Sequence, residues 1–199
     1  MIVSRLATSP LPLPVDYLPH RVAAVTVETD TGPLEVVGVY VPSRDQTEAK
    51  VTRKRTFLEG LAAALPTGKA GHRLVLGGFN ILESTHVPRY RTFQAWGYEF
   101  YTGLATAGYR DAFRLLAPDA LEYSWVGRTG DGYRYDHAHV SGPFTRHVTG
   151  SRYVHEPRTD EDRLLTDHSA LTVALALNAT APLDVTDPAA VEHSAPALF

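Results

Sequence analysis

Apolar residues fall in short clusters along the chain, and their spacing predicts alternating strands and helices. Arg21 to Thr29 carries Val22, Val25 and Val27 among small or polar residues, and Leu34 to Val41 is a second β-branched run beyond Thr31-Gly32-Pro33. Two such runs across a turn predict an antiparallel hairpin ending at Tyr40-Val41-Pro42. The most compact cluster is Arg73-Leu74-Val75-Leu76-Gly77-Gly78-Phe79-Asn80. An apolar run this short, closed by glycine, reads as a buried strand that stops abruptly. In open α/β sheets, ligands gather beyond the carboxyl ends of such strands, which puts Asn80 where chemistry is expected. The plainer alternative is a turn with a capping asparagine.

Helical spacing follows Asp45, which stands three residues before Glu48 as in a capping box. Lys54, Leu58, Leu61 and Leu65 then share one face, and Pro66 and Gly68 end the segment. Lys50, Arg53, Lys54 and Arg55 make its first half basic, which reads as a solvated face or as a patch facing phosphate. A long loop is expected from Ile81 to Trp96; loops of that length in compact domains usually have a function. Tyr98 to Ala107 predicts a short helix, and Asp111 caps another. Glu122 to Val126 and Tyr133 to Ser141 predict strands about Gly130-Asp131-Gly132, Thr145 to His155 is strand-like, and Ala170 to Leu177 closes the pattern. At the start, Ile2-Val3-Ser4-Arg5 reads as the end of a strand, and Pro10, Pro12, Pro14 and Pro19 predict a loop. Beyond Asn178 the chain is rich in Ala, Pro and Asp, so a domain over residues 1–178 and a disordered tail over 179–199 are expected.

Composition narrows the chemistry. The 199 residues include no cysteine, which excludes disulfides and thiolate metal sites and leaves carboxylate, Asn and His ligands. Of these, the hard oxygen ligands of carboxylate and Asn suit magnesium or manganese. The formal charge of -3 argues against non-specific coating of nucleic acid but permits a local basic groove. Arg89, Arg91, Arg128, Arg146 and Arg152 could rim one. No stretch is long and apolar enough to span a membrane, and the first residues do not form the apolar core of a signal peptide, so a cytoplasmic location is expected.

Four polar motifs sit on or beside the predicted strands: Tyr40-Val41-Pro42, Gly78-Phe79-Asn80, Arg134-Tyr135-Asp136-His137 and Thr166-Asp167-His168-Ser169. Singly, each has an ordinary structural explanation, Asp136 pairing with Arg134 among them. Their order and spacing resemble the endonuclease/exonuclease/phosphatase family, which includes exonuclease III-like and DNase I-like nucleases. In that family one strand ends in Gly-Asp-Phe/Leu-Asn, a later strand reads Arg-x-Asp with a Ser further on, and Ser/Thr-Asp-His introduces the last strand. Arg134-Tyr135-Asp136 with Ser141, and Thr166-Asp167-His168, match the latter two.

The resemblance implies an α/β fold, a two-sheet α/β/β/α sandwich of the DNase I-like type, here lacking the first strand and helix. It implies a hydrolase of phosphoester bonds using Mg2+ or Mn2+, acting as a phosphodiesterase or nuclease on a phosphoester substrate such as nucleic acid. Asp167 would be a metal carboxylate. His168 would donate to a phosphoryl oxygen, with Asp136 behind its other nitrogen. Asn80 would position phosphate or water, Tyr40 would bind a phosphate oxygen, and Arg134, Arg89 and Arg91 would bind substrate. On substrate, a small-molecule phosphatase is the alternative, and two departures point towards a catalytically inactive phosphate-binding protein or fragment instead. Gly78 stands where the family has Asp, and the family's early Asn and metal-binding Glu find no counterpart, since Glu28 and Glu35 lie on the hairpin.

Overall fold

In the computed structural model, residues 1–43, 47–90, 92–160, 162 and 164–180 are described. The capping box of Asp45, the role of Arg91 and the tail from residue 181 lie outside them. The chain runs β1 (Ser9–Pro10), β2 (Val22–Val27), β3 (Leu34–Tyr40), α1 (Glu48–Ala64), β4 (His72–Gly78), α2 (Ala95–Thr106), β5 (Tyr109–Asp111), α3 (Ala112–Leu116), β6 (Trp125–Val126), β7 (Gly132–Tyr133), β8 (Asp136–Ser141), β9 (Val148–Val154), α4 (Glu156–Thr159) and β10 (Ala170–Leu175). Among the described residues no helix is long and apolar enough to cross a membrane.

The main sheet has six strands in the order β1-β2-β3-β4-β8-β5, and β9 and β10 form a second, antiparallel pair. Strand alternation sorts the core into two layers. Val37, Val39 and Val75 face α1 and α2 and pack with Phe57, Leu58, Leu61 and Leu104. Leu34, Leu74, Ala138 and Val140 face the other way and meet Val148, Leu171, Val173 and Leu175 of the second sheet. The layering is the two-period logic of a sheet buried on both faces.

The β2–β3 hairpin forms as expected, with Val22 opposite Val39. Helix α1 buries Lys54, Phe57, Leu58 and Leu61, at i, i+3, i+4 and i+7. Asp111 caps α3 through Oδ1, which accepts from the amides of Phe113 at 2.9 Å and Arg114 at 3.2 Å. Three expectations need correction. Ile2 to Arg5 is not a strand; the Ser4 hydroxyl instead closes a local turn on Leu6, accepting from its amide and donating to its carbonyl. Pro10 is not in a loop but ends the short edge strand β1, where its missing N–H costs nothing. Tyr133 to Ser141 is two strands: β7 pairs with β6, and β8 joins the main sheet.

Beneath the sheet lies a buried ionic network. Arg134 has no exposed side-chain surface; its guanidinium meets Glu83 at 2.8 Å and Asp111 at 2.7 Å, and Arg114 meets Glu83 from the other side at 2.6 Å. The two guanidiniums hold the Glu83 carboxyl down at about 2 despite its burial. His139 lies beside this network, and its Nε2 has no hydrogen-bond partner among the described residues. Burial pushes its imidazole down to about 3. The folded state therefore binds fewer protons than the unfolded chain below pH of about 6.5. This contribution to stability is complete above that pH and is lost as pH falls towards 3, at about 1.4 kcal/mol per pH unit. His139→Leu is expected to flatten the acid limb measured by urea unfolding between pH 7 and pH 4.5. An unchanged slope would show that other groups set it.

Candidate active site

The end of the main sheet builds the first half of the site. In the strand register Tyr40 of β3 lies beside Gly78 of β4, and Gly78 lies opposite Asp136 of β8. The three positions form a row on one face. Close approach of β3 and β4 leading into this row requires glycine at 77. Its φ is +138°, and a Cβ there would lie 2.0 Å from the Val39 carbonyl oxygen. Gly78 is different: a Cβ would make ordinary contacts, 3.4 Å from Asp136 Oδ1 and 3.5 Å from Tyr40 Cδ2.

The chain then turns sharply. The amides of Phe79 and Asn80 both donate to the Tyr135 carbonyl, at 2.9 and 3.2 Å. Asn80 takes a left-handed backbone with φ of 53°, which Asn tolerates better than most residues, and its Nδ2 donates to the Val41 carbonyl at 2.8 Å. Lys54 enters from α1, with its stem buried and its ammonium donating to the Asn80 carbonyl.

The second half comes from the segment entering β10. His168 Nδ1 lies 2.7 Å from Asp136 Oδ2. That hydrogen bond is the leading cause that raises the His168 pKa above its ordinary value, against a smaller opposing effect of burial. The Trp125 indole donates to Asp167 Oδ2 at 3.0 Å, and Trp125 bridges His168 through the backbone. Ser124 Oγ, wholly buried, accepts from the amides of Tyr135 at 2.9 Å and Asp136 at 3.1 Å, which fixes the backbone that carries the carboxylate.

These groups line one cleft of about 720 Å³, whose walls include Tyr40, Lys54, Gly78, Asn80, Phe93, Trp125, Tyr133, Tyr135, Asp136, Thr166, Asp167 and His168. The structure thus brings together Tyr40, Asn80, Asp136, Asp167 and His168 of the residues singled out in the sequence. Tyr40 is 60% exposed, with the Arg21 guanidinium 4.9 Å from its ring centroid.

Arg134 is a correction. It does not face substrate, because it is wholly buried and its guanidinium is occupied by Glu83 and Asp111. Asp136 correspondingly pairs with His168 rather than Arg134. Arg89 is exposed outside the cleft lining and donates to the Ser84 carbonyl at 2.9 Å. Ser141 is a buried link between strands, donating to the Gly71 carbonyl at 2.7 Å and accepting from the Arg73 amide at 3.0 Å. Sequence reading missed Ser124, Trp125 and Phe93, for which no motif gives a signal. Lys54 was visible only as one of four basic residues.

Two groups of side chains could hold a metal ion. In the cleft, Asp167 is lined up with Asp136 and Asn80, residues whose oxygens are of the kind a hard dication takes. Elsewhere, ligand atoms of Asp111, His137 and His139 lie within 4.8 Å of one another, but none of the three lines the cleft and Arg134 already supplies Asp111 with a cation.

No family model and no curated protein matches the sequence. Solved structures do match. The 3′ phosphatase NExo from Neisseria, bound to a product DNA hairpin, aligns with a TM-score of 0.73 at 22% identity, over 86% of this chain and 72% of that one. An AP endonuclease from Archaeoglobus fulgidus aligns with a TM-score of 0.68 at 19% identity, over 85% of this chain and 72% of that one. The Xenopus laevis APE2 catalytic domain aligns at 0.64 and 17% identity, over 83% of this chain and 57% of that one. The chain therefore has the DNase I-like, two-sheet fold of exonuclease III-type and AP endonuclease structures.

Proposed function

We propose that the chain is a metal-dependent phosphoesterase that acts as a phosphodiesterase or nuclease, with nucleic acid as its substrate. The observation that carries this reading is the 2.7 Å bond between His168 and Asp136, made in a cleft that also holds Asp167, Asn80 and Tyr40. Asp136 engages Nδ1, which leaves Nε2 as the donor for a phosphoryl oxygen. The hydrogen bond to Asp136 raises the His168 pKa and so favours the charged ring, which can donate as charge builds on that oxygen. Asp167 would hold a divalent cation, and Asn80 would position the phosphate or the attacking water. When bound, that cation supplies Lewis-acid stabilisation of the phosphoryl group. Tyr40, at the other end of the row, offers its hydroxyl to a phosphate oxygen. DNA as substrate is in keeping with the hairpin product bound to the Neisseria relative in fold.

Gly78 favours a second reading, a phosphate-binding protein without turnover, because the position facing Asp136 carries no carboxylate to orient water. Hydrolysis of an activated phosphodiester and nicking of supercoiled plasmid, each with and without Mg2+, decide between them. His168→Ala reports contaminating nuclease. Gly78→Asp fits sterically and is expected to raise turnover by about tenfold or more, part of the about 10²–10⁴ that general-base assistance contributes. Turnover by the unchanged chain above the His168→Ala background supports the enzyme. Metal-dependent activity in neither the chain nor Gly78→Asp would sink it.

A further inference from the structure

Strand β8 carries two histidines that the chemistry of the cleft does not use. His137 and His139 stand two apart, which puts them on one face of the strand. Asp111 of β5 is the register partner of His139. All three side chains are buried, and a ligand atom from each lies within 4.8 Å of the other two.

The polar contacts of the two rings are incomplete. His137 Nε2 lies 3.2 Å from the Ile81 carbonyl, which can only accept, so that nitrogen carries the proton. In the neutral ring Nδ1 is then a lone pair, and it lies 3.4 Å from a second acceptor, Asp111 Oδ2. His139 Nε2 is buried with no hydrogen-bond partner among the described residues. A proton on His137 Nδ1 would answer the first contact and leave the His139 nitrogen bare. A metal ion answers both. Two ligands at about 2.0–2.1 Å on a tetrahedral zinc stand about 3.3–3.4 Å apart, which is the separation of His137 Nδ1 from Asp111 Oδ2. The bond from His137 Nε2 to a backbone carbonyl is the outer contact that orients a metal-binding imidazole.

Arg134 is the competitor for Asp111. Its Nη2 donates to Oδ2 at 2.7 Å, but it also holds Glu83 through Nε at 3.0 Å and Nη2 at 2.8 Å. The guanidinium therefore keeps a carboxylate partner when Asp111 turns to an ion. A cavity of about 210 Å³, whose lining includes Tyr101, Tyr109, Asp111 and His139, gives the ion a way in and leaves room for water as a fourth ligand.

We propose that Asp111, His137 and His139 form a second metal site, separate from the cleft, for a borderline dication of the Zn2+ kind. Two imidazoles and one carboxylate suit zinc, whereas Mg2+ prefers an octahedron of oxygens. The ion clamps the three-residue edge strand β5 to β8. Competition with Arg134 makes it exchangeable rather than permanent.

The test is a titration of Co2+ into the full chain, with Mg2+ in excess to fill all-oxygen sites. Four-coordinate Co2+ absorbs visible light far more strongly than the octahedral aquo ion. Strong bands are expected, and Zn2+ is expected to bleach them. His139→Leu removes a nitrogen that holds no bond, so the fold is expected to stand, with Co2+ bound at least about tenfold more weakly and the bands lost. Asp167→Asn is expected to leave them unchanged. On the unchanged chain, Zn2+ is expected to shift the NMR resonances of the His137 and His139 rings and to leave that of His168 in place. Absence of the bands, or still rings at 137 and 139, would overturn the proposal. Bands that survive His139→Leu, or vanish in Asp167→Asn, would assign the ion to exposed histidines or to the cleft and overturn it equally. Each of these results leaves the phosphoester reading of the cleft standing.

Discussion

Arg134→Met is expected to destabilise the fold by about 3–5 kcal/mol, the usual cost of breaking a buried ion pair by removing one partner. The side chain is wholly buried, and it is the guanidinium on which Asp111 depends; Glu83 keeps Arg114. Losing it leaves a desolvated carboxylate at the cap of α3, the element wedged beside β8 and β9. The deficit should depend on pH in a definite direction. Asp111 is held well below its ordinary pKa chiefly by Arg134, against the upward pull of burial. Its contribution to stability is therefore present above the ordinary carboxylate range and lost as pH falls through the folded value. Without Arg134 the carboxyl takes up a proton readily, so the variant's penalty is greatest near neutral pH and shrinks in acid. Urea unfolding of both proteins at pH 7 and pH 5 checks this. Arg134→Lys, which keeps the charge but not the forked geometry, is expected to fall between them. A loss below about 1 kcal/mol at pH 7 would mean that the network is not what ties these segments together.

Asp136→Asn is expected to lower turnover by about 10²-fold or more, comparable to removing one preorganised electrostatic group from an active site. The asparagine oxygen can still accept from His168 Nδ1, so the ring stays in place. What disappears is the negative charge, a cause of the raised His168 pKa alongside the hydrogen bond itself. In the proposed mechanism the imidazolium is the donor, so activity is expected to fall as pH rises through the His168 pKa. In the variant that fall moves to lower pH, and the deficit widens from acid to alkaline. A pH–rate profile, with the His168 ring titrated by NMR in parallel, separates this from mere misfolding. A uniform loss at every pH, with the His168 titration unmoved, would remove Asp136 from the role given to it.

Local patterns carried much of this into view. The run from Arg73 to Asn80 announced its own strand and turn. The valines at 22, 25 and 27 against those at 36, 37 and 39 announced the hairpin, and Asp111 announced a cap. Asp167 and His168 were legible through Thr166-Asp167-His168 taken in order with the other three motifs, which resemble a known family, and not through their immediate surroundings. Partners that meet across the fold left no such trace. Arg134 finds Glu83 across 51 positions and Asp111 across 23, and nothing in its neighbours distinguishes a buried arginine from one that faces a ligand. Lys54 looked like one charge in a solvated run, because helical spacing tells which face it shares and not where its ammonium ends. Ile2 and Val3 had strand-forming side chains, but the Ser4 hydroxyl gave the backbone a local alternative.

The His168–Asp136 bond joins two bodies of secondary structure that do not share a ladder. Asp136 belongs to the six-stranded sheet, while His168 stands two residues before β10 in the other. The bond therefore works as a strain gauge across the interlayer gap. Slip of one sheet over the other is expected to lengthen it, together with the bond from the Tyr153 hydroxyl of β9 to the Asp136 carbonyl. The ring's resonance would report that breathing directly, and a mutation deep between the layers could silence the chemistry without touching a residue in the cleft.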